Sequence, residues 1–492
     1  MLWACLRFPD FSLQLRLRGA ELSGPVIITS GGNRPQVLSC NPPARSHGIR
    51  PGMTASAAIA LAPELIEHAR DPAAESQALN NVAAWAGQFT SVVCLVPPDA
   101  VLLEVAGSVR LFGGLRPLLL QIDTSVVELG YTAALAAAPT PTAACLLARA
   151  GTSVRITDPA RLPVALAALP LVLLDQPSDT VDTLAMMGVQ TIGDCLALPR
   201  DGLARRFGQS LLDELDRALG QLPDAREPYI QPLRYVAALA LPAPVQEVEP
   251  LLFAAKRLLL ELAGYLRMQQ TGVTRLALTL RHEDCNPTVV MLGFAVPCRD
   301  PERMLRLLRE RLANFALPDR VEAIAIESQE TRPLGSRNLS LFPEDRLLEE
   351  ERWLVIDHLR ARLGSAAVHG IASYSDHRPE QAWRACEPGT EAAASVPSTR
   401  PLWLLEAPRR LPVEKAEAPI DSSLTLFLSC AVHGEPGPLT VLAGPERIES
   451  GWWDDGDTAR DYFVAVDSAG RKLWVFRERH GEKEWYLHGL FG

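Results

Sequence analysis

Apolar residues come in short runs along this chain, and the spacing within each run names the element it belongs to. The first run, Trp3-Ala4-Cys5-Leu6-Arg7-Phe8, reads as a strand closed by Pro9. Residues 26–29 and 36–40 read as two further strands joined through the Gly31-Gly32 turn, followed by a helix over about 54–61. Another apolar strand runs through Val101-Leu102-Leu103, behind Pro98-Asp99-Ala100 and ahead of Glu104. From about 170 to 225 the pattern is helical and punctuated, with Gly188 and Gly193 set around Val189-Gln190-Thr191-Ile192 as a hairpin between helices would be. Residues 273–281 alternate strictly. Leu276, Leu278 and Leu280 point to a core, while Arg275, Ala277, Thr279 and Arg281 point away from it. A helix over 302–314 carries Arg303, Arg306 and Arg309 on what reads as a solvated face. A charged amphipathic helix is expected over 344–363. Loops are expected around His369 and over Asp376-His377-Arg378-Pro379-Glu380, and a Pro- and Ser-rich linker ends near 400. The last hundred residues alternate as strands, as in Trp474-Val475-Phe476 and Trp485-Tyr486-Leu487.

Composition narrows the class. A chain of 492 residues exceeds what one core supports, so several domains are expected. With 48% hydrophobic and 22% charged residues and no charge-free apolar run of ~18 residues, it reads as a soluble protein with no membrane partner. No signal peptide is evident, which places it in the cytoplasm. The nine cysteines include no CxxC pair and no Cys/His cluster at zinc spacing, so no metal and no cofactor is expected, and the thiols read as reduced and buried. The net charge of −10 excludes a uniformly basic coat for nucleic acid, yet only Lys256, Lys415, Lys472 and Lys483 are lysines. Almost all positive charge is therefore arginine, whose planar fork suits phosphate.

Four segments together resemble the Y-family DNA polymerases. In that family the first strand has the pattern apolar-Asp-apolar-Asp-aromatic, and here Cys5 and Arg7 stand at the two acids. Ala44-Arg45 with Gly48-Ile49-Arg50-Pro51-Gly52-Met53 resembles the family segment that handles the incoming triphosphate. Arg45 is kept there, while the family's tyrosine is Pro42. Residues 98–108 resemble the strand bearing the other two catalytic acids, which puts Asp99 and Ala100 at those positions. Ala137 to Ala144 resembles a segment whose triphosphate lysine is here Pro141. Two-metal phosphoryl transfer needs several carboxylates at one point; a thiol binds magnesium poorly and an arginine repels it. The resemblance thus implies an α/β multidomain fold of Y-family architecture with a vestigial metal site.

That architecture divides the chain into a ferredoxin-like palm with small fingers (1–168), a helix-hairpin-helix thumb (169–226) and an α+β little finger (227–336). DNA contacts are then expected from Gly188 and Gly193 in the thumb. In the little finger they are expected from Lys256, Arg257, Arg275, Thr279 and Arg281. Asn338-Leu339-Ser340-Leu341-Phe342 follows (segment 337–343) and resembles the pentapeptide that docks bacterial polymerases on the sliding β-clamp. Leu341 and Phe342 would fill an apolar groove. A helix and linker (344–400) and a β-rich partner-binding domain (401–492) complete the chain. With Gly444 to Trp453 and the ending Leu487-His488-Gly489-Leu490-Phe491, the whole resembles the polymerase-like subunit of bacterial damage-inducible mutagenesis cassettes. That resemblance implies a non-catalytic adaptor in translesion synthesis with DNA, the clamp, an error-prone C-family DNA polymerase and the RecA-like accessory protein ImuA as partners. The alternative reading is a divergent but active translesion polymerase.

Overall fold

The computed structural model describes residues 1–18, 24–313, 315–334, 352–353, 355–360, 362–364, 366–390, 400–411, 413–417, 425–428, 438–454 and 456–491. The chain forms two compact units, Met1–Arg362 and Leu363–Gly492.

The first unit opens with β1 (Trp3–Arg7) and α1 (Phe11–Leu17). A small sheet follows, β2 (Val26–Thr29), β3 (Val37–Cys40) and β4 (Ile66–Ala69), in the order β3-β2-β4. It carries α2 (Pro42–Ser46), whose N-terminus is capped by the Asn41 side chain at Ala44, and α3 (Ala55–Leu61), capped by Thr54. Next come α4 (Pro72–Ala86), β5 (Val93–Val96), β6 (Ala100–Glu104), α5 (Leu115–Glu128), β7 (Ala134–Ala138) and α6 (Pro141–Arg149). Their strands join β1 in an antiparallel sheet of order β5-β6-β1-β7. β1 is central and buried on both sides, hence its near-continuous apolar sequence. Ala4 and Leu6 pack with Leu79 and Val82 of α4 and Leu118 of α5. Trp3 and Cys5 pack toward α6 with Ala144 and Leu147.

Five short helices continue that second core: α7 (Leu162–Ala167), α8 (Ser178–Met186), α9 (Ile192–Leu196), α10 (Arg200–Phe207) and α11 (Gln209–Leu219). A second layered region then follows as β8 (Val236–Val245), α12 (Val248–Met268), β9 (Thr271–His282), β10 (Thr288–Cys298), α13 (Pro301–Ala313) and β11 (Val321–Pro333). Its antiparallel sheet has the order β10-β9-β11-β8. Leu276, Leu278 and Leu280 face a core shared with α12 and α13, as their alternation predicts. The opposite face of the sheet has no helix layer among the described residues. The described residues of the expected charged helix are helical between 352 and 363. Asp357 there accepts from the Ala295 amide at 3.0 Å and from the Arg303 guanidinium.

The second unit contains a hairpin, β12 (Gly370–Ser373) with β13 (Trp383–Cys386). β14 (Trp403–Leu411), β15 (Val413–Glu417), β16 (Thr425–Leu428), β17 (Pro438–Ser450), β18 (Thr458–Val466), β19 (Lys472–Glu478) and β20 (Trp485–Leu490) form one antiparallel sheet of order β14-β20-β19-β18-β17-β16-β15. Its two faces are distinct. Leu473, Val475 and Leu487 line one core, and Tyr462, Trp474 and Phe476 line the other. The segment around His369 is an exposed turn and 376–380 is irregular up to a short 3-10 turn at Pro379–Gln381, so both are loops as expected. The first enters the hairpin. In the second, Arg378 is buried and ion-paired with Asp376 and Asp454, and Glu380 pairs with Arg460 of β18.

Candidate functional site

The period of two in β1 puts Cys5 and Arg7 on the same side of the palm sheet, and the register sets Arg7 opposite Ala100 of β6. Arg7 Nε donates to Asp99 Oδ2 at 3.0 Å, with the two side chains 30% and 25% exposed. The carboxylate that remains is therefore already answered by a fixed cation. Cys5 lies opposite Leu102 and Ala136, is 1% exposed, and donates its thiol to Cys145 Sγ of α6 at 3.8 Å. Ala100 is buried beside them. These residues do not fit a pair of magnesium ions: one engaged carboxylate, an arginine and an apolar-packed thiol replace the convergent oxygens such a site needs.

The positions expected to face a triphosphate are internally occupied in the same way. Arg45, at the end of α2, pairs with Asp10 Oδ2 at 3.0 Å. Pro141 opens α6, where a proline's missing N–H is no loss. The next amide, Thr142 N, donates to Asp224 Oδ2 at 2.9 Å, and the Thr142 hydroxyl donates to the same oxygen at 2.7 Å. Asp224 is itself held by Arg226 at 2.8 Å. A carboxylate from the chain thus sits at the positive end of α6, where an anion is favoured.

In the thumb, the two hairpin glycines have different physical roles. Gly188 ends α8 with φ +85° and open space around it, as a left-handed turn residue. Gly193 lies in the first turn of α9, and a Cβ there would meet the Ala167 carbonyl oxygen at 2.9 Å. Its absent side chain lets α9 approach α7. Gly193→Ala is expected to cost about 1–3 kcal/mol through overpacking. Denaturant unfolding of the variant beside Gly188→Ala checks this, and an undisturbed midpoint for Gly193→Ala would rule out the packing role.

The five positions expected to contact DNA in the second layered region fall on two layers. Arg275, Thr279 and Arg281 share the open face of the β9 sheet with Ala277; across the β9–β11 register Ala323 faces Arg281, Ala325 faces Thr279, Glu327 faces Ala277 and Glu330 faces Arg275. Lys256 and Arg257 belong to α12, which covers the opposite face. Lys256 Nζ pairs with Glu302 of α13 at 3.2 Å, and Arg257 lies over the Phe253 ring and against Gly130. They therefore cannot join the arginines of β9 in one contact surface. α12 instead faces the palm. A Cβ on Gly264 would meet Trp85 of α4 at 2.5 Å, and Glu261 of α12 accepts from Arg18 and from the Tyr235 hydroxyl at 2.8 Å. Arg18 completes its bonds with the Leu129 carbonyl at 2.7 Å and the Tyr131 hydroxyl at 2.6 Å. A buried ion pair thus ties the palm to the region expected to be the little finger.

The impB/mucB/samB family model matches residues 11–149, from α1 to the end of α6 and including Asp99 and Ala100. Protein ImuB of Caulobacter vibrioides, from strain NA1000/CB15N and from strain ATCC 19089/CIP 103742/CB 15, is 29% identical over 461 residues, covering 90% of this chain and 100% of that protein. Over nearly its whole length the chain is similar to Protein ImuB. Among solved structures, DinB from Sulfolobus solfataricus is 19% identical with a TM-score of 0.39, over 67% of this chain and 98% of that one. The insertion ternary complex of Dbh DNA polymerase is 20% identical with a TM-score of 0.40, over 66% and 98%.

The chain holds functional candidates that sequence reading passed over. Cys145, Asp224 and Arg226 sit near Cys5 and Pro141, and Arg18 and Glu261 lie where α12 meets the first sheet region. Only Glu261 carries a local signal, a carboxylate inside the apolar run Leu258-Leu259-Leu260-Glu261-Leu262. The clamp pentapeptide, Asn338 to Phe342, lies outside the described residues.

Proposed function

We propose that this protein is a non-catalytic, polymerase-shaped adaptor of translesion synthesis and SOS-type induced mutagenesis in the cytoplasm. It binds DNA, docks on the sliding β-clamp through Asn338, Leu339, Ser340, Leu341 and Phe342, and brings an error-prone C-family DNA polymerase to the lesion, with ImuA as its accessory partner. The β-rich end of the chain is the surface for those partners. Exposed aromatic residues there, Trp403, Trp452 and Trp453, support that reading. The observation that carries the proposal is the Arg7–Asp99 ion pair on a sheet whose other acid positions are Cys5 and Ala100. Positioning and metal electrostatics supply most of phosphoryl-transfer catalysis, and this geometry supplies neither. On the open sheet face, Thr279 and Arg281 with Ala325 and Ala323 across from them, and Arg275 across from Glu330, are suited to lie along a phosphate backbone without reading sequence.

Primer extension on undamaged and lesion-bearing templates, with magnesium and then manganese, tests the adaptor reading. The expected result is no incorporation by protein that still binds the template, with an affinity that falls as salt rises. Incorporation that disappears in Asp99→Ala would make the protein a polymerase and sink the proposal. For the docking peptide, Leu341→Ala with Phe342→Ala removes both apolar anchors. The clamp Kd is expected to rise at least tenfold while DNA binding is kept. An unchanged clamp affinity would remove the pentapeptide from the mechanism.

A further inference from the structure

The metal position of the polymerase fold is filled here by a pair of thiols. Cys5 lies at the centre of the palm sheet and Cys145 on α6, their sulfurs 3.8 Å apart across 140 residues of chain. Both are buried, but differently. Cys5 is enclosed by the sheet and its helix, whereas Cys145, 6% exposed, lines a cavity of about 510 Å³ between the palm and the thumb helices. Arg149, Arg217 and Arg226 line the same cavity, with Glu214 and Asp224 among its acids. It is wide enough for small solutes and offers hydrogen-bond donors at the Cys145 mouth.

We propose that Cys145 is an oxidation site for peroxides and Cys5 its resolving thiol, so that the vestigial metal position works as a reversible dithiol. The chemistry balances with a peroxide of the hydrogen peroxide type as oxidant. The Cys145 sulfur attacks one peroxide oxygen, the O–O bond breaks, and water leaves with the thiol proton, giving a sulfenic acid. The Cys5 sulfur then attacks the Cys145 sulfur. An S–S bond forms, the S–O bond breaks, and the hydroxyl leaves as a second water with the Cys5 proton. Each sulfur is oxidised by one electron and the peroxide is reduced to two waters. The sulfurs close from 3.8 Å to a bond of about 2.0 Å.

Access sets the order of attack, because Cys145 lines the cavity and Cys5 does not. The hydrogen bond from Cys5, aided by the Arg226 and Arg149 guanidiniums, holds the Cys145 thiol below its usual range against the opposing effect of burial. That same bond, with burial, pushes Cys5 well above it. Burial likewise raises Cys94, Cys195 and Cys298. Reactivity follows thiolate character and access together, and Cys145 combines them. The product ties α6, the helix at the old triphosphate position, to the central palm strand. It does so whether or not the protein polymerises DNA.

The test is peroxide titration of the full-length chain with non-reducing peptide mapping by mass spectrometry, using dimedone to trap sulfenic acids. The exposed Cys285 serves as an internal comparator. The expected result is a Cys5–Cys145 linked peptide, reversible by dithiothreitol, at peroxide at least tenfold lower than that which oxidises Cys285. In Cys5→Ala, dimedone-labelled Cys145 is expected to accumulate in place of the link. Oxidation of Cys285 while Cys145 stays free, or links formed instead by Cys94 or Cys195, would overturn the proposal. The wild-type map alone decides this even if the variant does not fold. Primer extension is read separately, so failure here is distinct from failure of the adaptor reading.

Discussion

Glu261→Leu is expected to destabilise the first unit by about 3–5 kcal/mol, and adding Arg18→Met is expected to recover most of that loss. The reason is the uncompensated charge rather than the lost attraction. In the native chain the Arg18 and Glu261 side chains are 3% and 1% exposed, and Arg18 stacks over the Tyr131 ring with its guanidinium 4.2 Å from the centroid. Burial disfavours the guanidinium charge, but Glu261 and the neighbouring hydroxyls more than restore it, so Arg18 stays firmly protonated. With leucine at 261 the cation remains, because arginine does not give up its proton in a protein. It must then either stay buried without an anion or drag water between α12 and the palm. Methionine at 18 removes the cation. What remains is the cost of hydroxyls on Tyr131 and Tyr235 that have lost partners, about 1–3 kcal/mol. Urea midpoints followed through Trp85, which touches α12 at Gly264, measure both variants. Equal losses in the single and double variants would show that packing, and not the charge, holds α12 to the palm.

The same junction shows where sequence reading stops. The alternation of Leu276, Leu278 and Leu280 announced the buried face of β9 because a strand's period is local. Lys256 and Arg257 were legible as charge but not as location. Their side of the sheet depends on how a 21-residue helix is rotated against two neighbours, and no local period records that. Arg18 and Glu261 lie 243 residues apart, and only the closed fold makes them a pair. The candidate site divides along the same line. The loss of acids at Cys5, Arg7 and Ala100 could be read directly from residue type. That Arg7 engages Asp99, that Cys145 meets Cys5 and that Asp224 caps α6 depends on strand register and helix packing. Asp376–Glu380 is the loop that polar residues with a proline announce. What residue type could not show is that its arginine is buried between two aspartates.

Cys5→Asp, a step back toward the polymerase pattern, is expected to cost on the order of 3 kcal/mol or more at pH 7 and to gain nothing from magnesium. The carboxylate would stand where a 1%-exposed thiol now packs between Leu102 and Ala136, beside Cys145. Arg7, two residues along β1, already serves Asp99, and Arg149, the cation that acts on Cys5, donates to the Leu173 carbonyl. Desolvation then raises the new carboxyl's folded pKa above its unfolded value of about 3.9. The sign follows from linkage. A carboxyl raised in the folded state penalises folding fully above its folded pKa, and the penalty fades as pH falls to the unfolded one. The gap between variant and wild type is therefore widest near neutrality and narrows toward pH 4, the reverse of a salt-bridged aspartate. Magnesium should leave the midpoint of the variant unmoved, because Ala100 offers no second ligand and Arg7 repels the ion. Denaturant midpoints at pH 7 and pH 5, each with and without magnesium, measure all of this. A variant as stable as wild type at pH 7, or one that magnesium stabilises, would show that the palm still holds a latent metal site.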